Sequence, residues 1–268
     1  MIDEPIKQDF LIAAISGATK TYLIREYKEA YKLTDKEINK LISDPGLNLK
    51  PLFINYEKFY NLAIPSTAKR IKFPFTQIYI QDNFLSEENC EIAIKQMCEE
   101  LVPSTVANED DNIVHSDYRT SSTSGFDYRL SDVGTDLNEV IANYMGLDCL
   151  LAEWVQAQRY LPGEFYKAHH DYFPRFTTEY KTYTEWMGQR TWTFTVYLND
   201  VEEGGETYFK HLNLKIKPKK GTAVFWNNLY KNGWPNYKTL HEALPPISGN
   251  KYIITKWFRS WPLLKMTD

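Results

Sequence analysis

The stretch Tyr166–Phe173 reads YKAHHDYF and places two of the chain's five histidines beside an aspartate. Side chains on an extended strand alternate between faces, so residues two apart share one. His169 and Asp171 then look into one cavity, and His170 looks out of it, free to touch substrate or solvent. A His and a carboxylate two apart, completed by a distant His, make a 2-His-1-carboxylate facial set. On Fe(II) that set leaves three positions open, enough for a bidentate cosubstrate and dioxygen. The pair His170 and Asp171 would converge only through a kink. H-x-D alone is common, and its plain reading is a surface histidine beside an aspartate. A second histidine and an anchor for the cosubstrate are needed.

His211 and His241 are the candidates for the second histidine. His211 lies in the polar stretch YFKHLNLKIKPKKG and reads more simply as a loop residue. His241 lies in TLHEALPP, ten residues before Lys251 at the head of KYIITKWF. Alternation puts Lys251, Ile253, Thr255 and Trp257 on one face. A lysine at the mouth of an enclosed face is a point charge able to hold the far end of a dicarboxylate; alone it would read as a solvated edge lysine.

These residues need a scaffold of strands. FTQIYIQDNF, Ala152–Leu161, Thr191–Leu198, Thr222–Trp226 and Lys251–Phe258 are rich in β-branched and aromatic residues and separated by Gly/Pro punctuation. Several strands without alternating helices point to a sandwich, barrel or jelly roll. Helices are expected from Ser86, an N-cap followed by Glu87 and Glu88, to about Glu100, and over Thr135–Tyr144. The first third reads helical: Phe10–Tyr31, a helix opened by the Thr34–Glu37 capping box and ended by the Asp44-Pro45-Gly46 turn, and a piece near Asn55–Leu62. The expected organisation is an N-terminal helical extension over 1–70 and a catalytic domain over 71–268.

With 43% hydrophobic and 25% charged residues, the chain has a globular composition. A net charge of −4 offers no general attraction for nucleic acid or an anionic membrane surface. Cys90, Cys98 and Cys149 are sparse and odd in number, and read as reduced thiols. MIDEPIKQDF lacks the pattern of a signal peptide and no apolar run could span a membrane, so a cytoplasmic setting is expected.

In this order and spacing the motifs resemble the iron(II)- and 2-oxoglutarate-dependent dioxygenases, and within them the prolyl 4-hydroxylases. The matching segments run from about Ile78 to Trp261: DNFLSEENC, the YRTSS at Tyr118–Ser122, RYLPGEFYKAHHDYF, QRTWTFTVYLNDVEEGGETYF, KPKKGTAVFW and LHEALPPISGNKYIITKW. The resemblance implies an α+β, mainly β chain with a double-stranded β-helix (jelly roll) core and supporting helices. It implies Fe(II) on His169, Asp171 and His241, and 2-oxoglutarate held by Lys251, Tyr160 and Thr207. Tyr166, Arg190 and Trp257 would line the site of a peptidyl proline. The activity implied is C4 hydroxylation of proline in a peptide or protein, using O2, releasing succinate and CO2, and drawing on ascorbate as reductant. Rival readings are the same chemistry on free proline, another side chain or a small molecule, and a non-catalytic jelly roll that binds Pro-rich peptides. Three departures bear on the substrate: Arg259 stands where a substrate-side histidine is usual, Lys210 replaces a proline, and FPRFTTEYKTYTEWMGQ is inserted at Phe173–Gln189. That insertion and Ser116–Gly125 are the expected lids.

Overall fold

The computed structural model describes residues 6, 7, 10, 27–43, 57–105, 118–125, 136–174, 177–184 and 187–260. Most of the expected Phe10–Tyr31 helix, the Asp44–Gly46 turn and the first residues of the Ser116–Gly125 lid lie outside them.

Strands β1 (Lys69–Phe73), β2 (Thr76–Gln81), β3 (Val102–Pro103), β4 (Ser122–Gly125), β5 (Gln156–Tyr160) and β6 (Tyr166–His169) come first, with helices interspersed. They are followed by β7 (Arg190–Tyr197), β8 (Glu203–Gly204), β9 (Thr207–Phe209), β10 (Leu214–Ile216), β11 (Ala223–Asn227), β12 (His241–Ala243), β13 (Pro246–Ser248) and β14 (Lys251–Arg259). The α-helices that lie wholly among the described residues include α1 (Asp35–Ser43), α2 (Glu57–Tyr60), α3 (Glu87–Cys98), α4 (Leu137–Met145) and α5 (Thr178–Thr184). One sheet of eight strands has the order β1-β2-β11-β7-β14-β5-β4-β3, a second has β10-β9-β12-β6, and β13 pairs β8. Every pairing is antiparallel, and the whole is the expected jelly roll.

Alternation divides the large sheet into two faces with different tasks. Phe194, Val196, Ala223, Phe225, Ile254 and Phe258 face the helices, where they pack with Cys90, Ala93 and Met97 of α3 and Leu137, Ile141 and Met145 of α4. The intervening positions Tyr160, Tyr197, Val224, Trp226 and Ile253 face the small sheet and meet Phe209 and Ile216. Both helices start where their caps demand: Ser86 Oγ accepts from the Asn89 N–H, and Asp136 accepts from the Asn138 N–H. α4 stops at Gly146, which adopts φ 63°.

The N-terminal part divides in two. Phe10, Tyr27, Ile38 and Leu41 form a small cluster of their own. Phe59 of α2 instead enters the main core, and its carbonyl accepts the Trp192 indole N–H at 2.6 Å. The Gly-Gly of GGET has a steric cause: Gly204 has φ 77°, and a Cβ there would run into the Pro245 carbonyl oxygen.

Candidate active site

Strands β6 and β12 pair with His169 directly opposite His241. Asp171 follows two residues after β6 ends, in a bend, and the donor atoms of His169, Asp171 and His241 all lie within 4.8 Å of one another. His169 Nε2 is 3.6 Å from Asp171 Oδ1, and His241 Nε2 is 3.8 Å from Asp171 Oδ2. Each histidine places Nδ1 against a backbone carbonyl two residues back, Lys167 O at 2.8 Å and Thr239 O at 2.9 Å. A carbonyl only accepts, so Nδ1 carries the proton and Nε2 offers its lone pair toward the carboxylate. Burial pushes His241 down to about 4, which keeps it neutral at physiological pH. Burial opposes the charge of Asp171, yet His241, His169 and Arg190 outweigh it and hold the carboxyl well below its usual range. Two imidazoles and one carboxylate match the donor set of a non-haem Fe(II) centre with an open face.

His211 stands apart from this cluster, in a short 3-10 turn with its ring 5.4 Å from Tyr237. His170 also stays outside the donor set; it is half-buried and lines the same cavity as the donors. Its Nε2 bonds the Tyr237 carbonyl at 3.1 Å, its ring stacks on Tyr172 at 4.5 Å, and burial pushes it down to about 3.

The donors open onto a cavity of about 230 Å3 that Tyr160, Tyr166, Arg190, Thr207, Lys251 and Trp257 also line. Lys251 is 0% exposed, and its Nζ has no hydrogen-bond partner among the described residues. Aromatic faces approach it, Tyr160 at 5.1 Å and Tyr197 at 5.7 Å. Burial lowers the amine to about 7. An ammonium with no hydrogen-bonded counter-ion in such a place costs several kcal/mol, so the site fits an anionic ligand group. Tyr160 pairs Lys251 across β5 and β14, and its hydroxyl donates to Gln158 at 3.1 Å. Thr207 accepts from the Tyr197 hydroxyl at 2.7 Å.

The remaining wall is cationic and aromatic. The Tyr166 ring stacks on His169 at 3.6 Å and lies 4.9 Å from the Arg119 guanidinium. Arg190 sits 4.1 Å from the Trp257 ring and 5.0 Å from that of Phe173. Glu153 binds Arg190 in bidentate fashion at 2.6 and 2.7 Å.

Three functional groups were not singled out by spacing. Glu153 matches no motif. Arg119 lies within YRTSS, but only the fold shows it buried against Tyr166. Thr193 donates to Asp171 Oδ2 at 2.6 Å and accepts from Asn228 Nδ2 at 2.8 Å, so a two-residue relay orients the carboxylate. A signal for Thr193 was present: threonine alternates with aromatics in RTWTFT, marking a polar face. Thr193→Val is expected to weaken Fe(II) binding roughly 10- to 100-fold, read by metal titration, with the melting curve little changed.

A model of the 2OG-Fe(II) oxygenase superfamily matches residues 155–259. The prolyl 4-hydroxylase subunit alpha-2 of Gallus gallus is 36% identical over 177 residues, which are 65% of this chain and 32% of that subunit. The chain thus spans about a third of the length of the animal subunits it matches. Prolyl 4-hydroxylase 13 of Arabidopsis thaliana is 32% identical over 200 residues, 68% of this chain and 71% of the plant protein. Among solved structures, the viral collagen prolyl hydroxylase vCPH from Paramecium Bursaria Chlorella virus-1, in its 2OG complex, superposes with a TM-score of 0.52 at 29% identity. The match covers 68% of this chain and 95% of that one.

Proposed function

The chain belongs to the prolyl 4-hydroxylase family within the 2OG-Fe(II) oxygenase superfamily, and on that premise we propose that it hydroxylates proline at C4 in a peptide or protein. Fe(II) and 2-oxoglutarate, with O2, are the family's cofactor and cosubstrates. When bound, the iron supplies the redox centre at which 2-oxoglutarate is decarboxylated to succinate and CO2 while one substrate C–H becomes C–OH. The rest is the work of the chain's own side chains.

His169, Asp171 and His241 hold the metal, with Nε2 of each imidazole already freed by the bond at Nδ1. Lys251 takes the far carboxylate of 2-oxoglutarate, with the Tyr160 and Thr207 hydroxyls beside it. That carboxylate supplies the partner the buried ammonium lacks, and this orphaned cation facing a His–Asp–His cluster in one cavity carries the proposal. Tyr166, Trp257 and Arg190 form the wall that receives the proline. Arg190 is held by Glu153 and flanked by two rings, so it keeps its place when a peptide enters. A flat aromatic wall suits a polyproline II segment, which has little entropy left to lose on docking.

Ascorbate is included as the reductant that restores the ferrous state. Among the described residues no helix is long and apolar enough to cross a membrane. We place the enzyme in the cytoplasm on the strength of its sparse, unpaired thiols.

Protein loaded with Fe(II) and supplied with 2-oxoglutarate, ascorbate and air should convert a Pro-rich peptide to a product heavier by one oxygen atom, with one succinate formed per hydroxyl. Turnover on free proline but not on peptides would move the reading to a small-molecule hydroxylase. Absence of 2-oxoglutarate decarboxylation in the loaded protein would revive the non-catalytic binder.

A further inference from the structure

Arg259 ends β14 and lies outside the His–Asp–His cluster. Its guanidinium has three distinct engagements. Nε lies 3.0 Å from Glu153 Oε1. One terminal nitrogen donates to the Gly188 carbonyl and the other to the Tyr183 carbonyl, each at 2.9 Å. Tyr183 belongs to the last turn of α5, where main-chain carbonyls have no partner inside the helix. A cation there also complements the negative end of the helix. Arg259 is 4% exposed, so these contacts are what compensate the burial of its charge.

The docked helix in turn builds part of the cavity. The Tyr183 ring packs on Phe173 at 5.2 Å and 22°, and the Arg190 and Arg259 guanidinium groups each lie 5.0 Å from the same Phe173 ring. Glu153, Phe173, Tyr183 and Arg190 all line the cavity. Glu153 is shared between Arg190 and Arg259, so one carboxylate links the substrate wall to the residue that carries α5. A lysine could not replace Arg259 here. A single ammonium lacks the fork that reaches a carboxylate and two carbonyls at once.

We infer that Arg259 is a positioning residue that docks α5 onto the substrate wall, so that Tyr183 becomes a specificity-determining contact for the proline-bearing peptide. The substrate half rests on the peptide reading above; the docking half does not. Residues that hold the metal and 2-oxoglutarate are untouched by either.

The test compares wild type, Arg259→Met, Arg259→Lys and Tyr183→Ala. Hydrogen–deuterium exchange over 178–184 should rise by at least about tenfold in Arg259→Met and Arg259→Lys. Unchanged exchange there overturns the docking, whatever the substrate proves to be. In turnover, both Arg259→Met and Tyr183→Ala should raise the peptide KM by about fivefold or more, with the 2-oxoglutarate KM within about twofold of wild type. Their combination should add little to either alone. Parallel rises in both KM values would indicate general loosening and overturn the positioning role. An unchanged peptide KM in Tyr183→Ala overturns the specificity role. Should wild type itself not turn over peptides, the functional reading fails, and the exchange result alone decides for or against the docking.

Discussion

Replacing His169 or Asp171 by alanine is expected to abolish coupled turnover, a fall of at least about a thousandfold, because two donors remain where three are needed to hold the ion. Metal content after dialysis should fall in step with activity. The decisive control is the neighbour. His170→Ala removes a bond to the Tyr237 carbonyl and a stack on Tyr172, at a cost of about 1–3 kcal/mol in stability. It leaves all three donors in place, so the folded variant should bind Fe(II) as wild type does. A His170→Ala protein that folds but loses its metal, beside a His169→Ala protein that keeps it, would reverse the ligand assignment.

Lys251→Met should raise the 2-oxoglutarate KM by roughly a hundredfold or more, since a charge-assisted pair in a dry pocket is worth about 3 kcal/mol or more. A KM within twofold of wild type would remove Lys251 from the cosubstrate site. The wild-type residue also predicts a pH effect of definite sign. Its amine is held at about 7 in the free protein, whereas a bound carboxylate keeps it protonated. Above pH 7 each 2-oxoglutarate must therefore bring a proton with it. Affinity should fall as pH rises, and calorimetry in buffers of different ionisation enthalpy at pH 8 should show uptake of close to one proton. Without ligand the sign of the stability effect is opposite. Between pH 7 and the ordinary lysine value of about 10.4 the unfolded chain holds the extra proton, so ligand-free protein grows more stable with rising pH across that window.

Much of the site could be read from local pattern. Period-two alternation in KYIITKW placed Lys251, Ile253, Thr255 and Trp257 on one wall, and all four line the cavity. The Ser86 cap and the Thr34–Glu37 box, whose Thr34 N–H bonds Glu37 Oε2 at 2.9 Å, set helix starts within a few residues of the chain. What spacing could not show depends on strand pairing. Glu153 meets Arg190 across 37 residues, and Arg259 joins them because β14 pairs with β7 so that Arg259 lies opposite Arg190. No local period encodes that meeting. Alternation also reached its limit at Asp171: β6 ends at His169, so the bend rather than the pleat aims the carboxylate. His170, beside that bend, is half-buried against Tyr237 and lines the same cavity.

The direct pairing of His169 with His241 has a consequence beyond catalysis. β6 is the edge strand of its sheet, four residues long, and its ladder to β12 carries a bulge. An ion shared by the two imidazoles would act as a clasp between β6 and β12, adding a cross-link to the main-chain bonds already there. Iron scarcity would then do more than silence the enzyme. It would loosen the join between β6 and β12, so the cell's iron supply would set how long the protein survives as well as how fast it works.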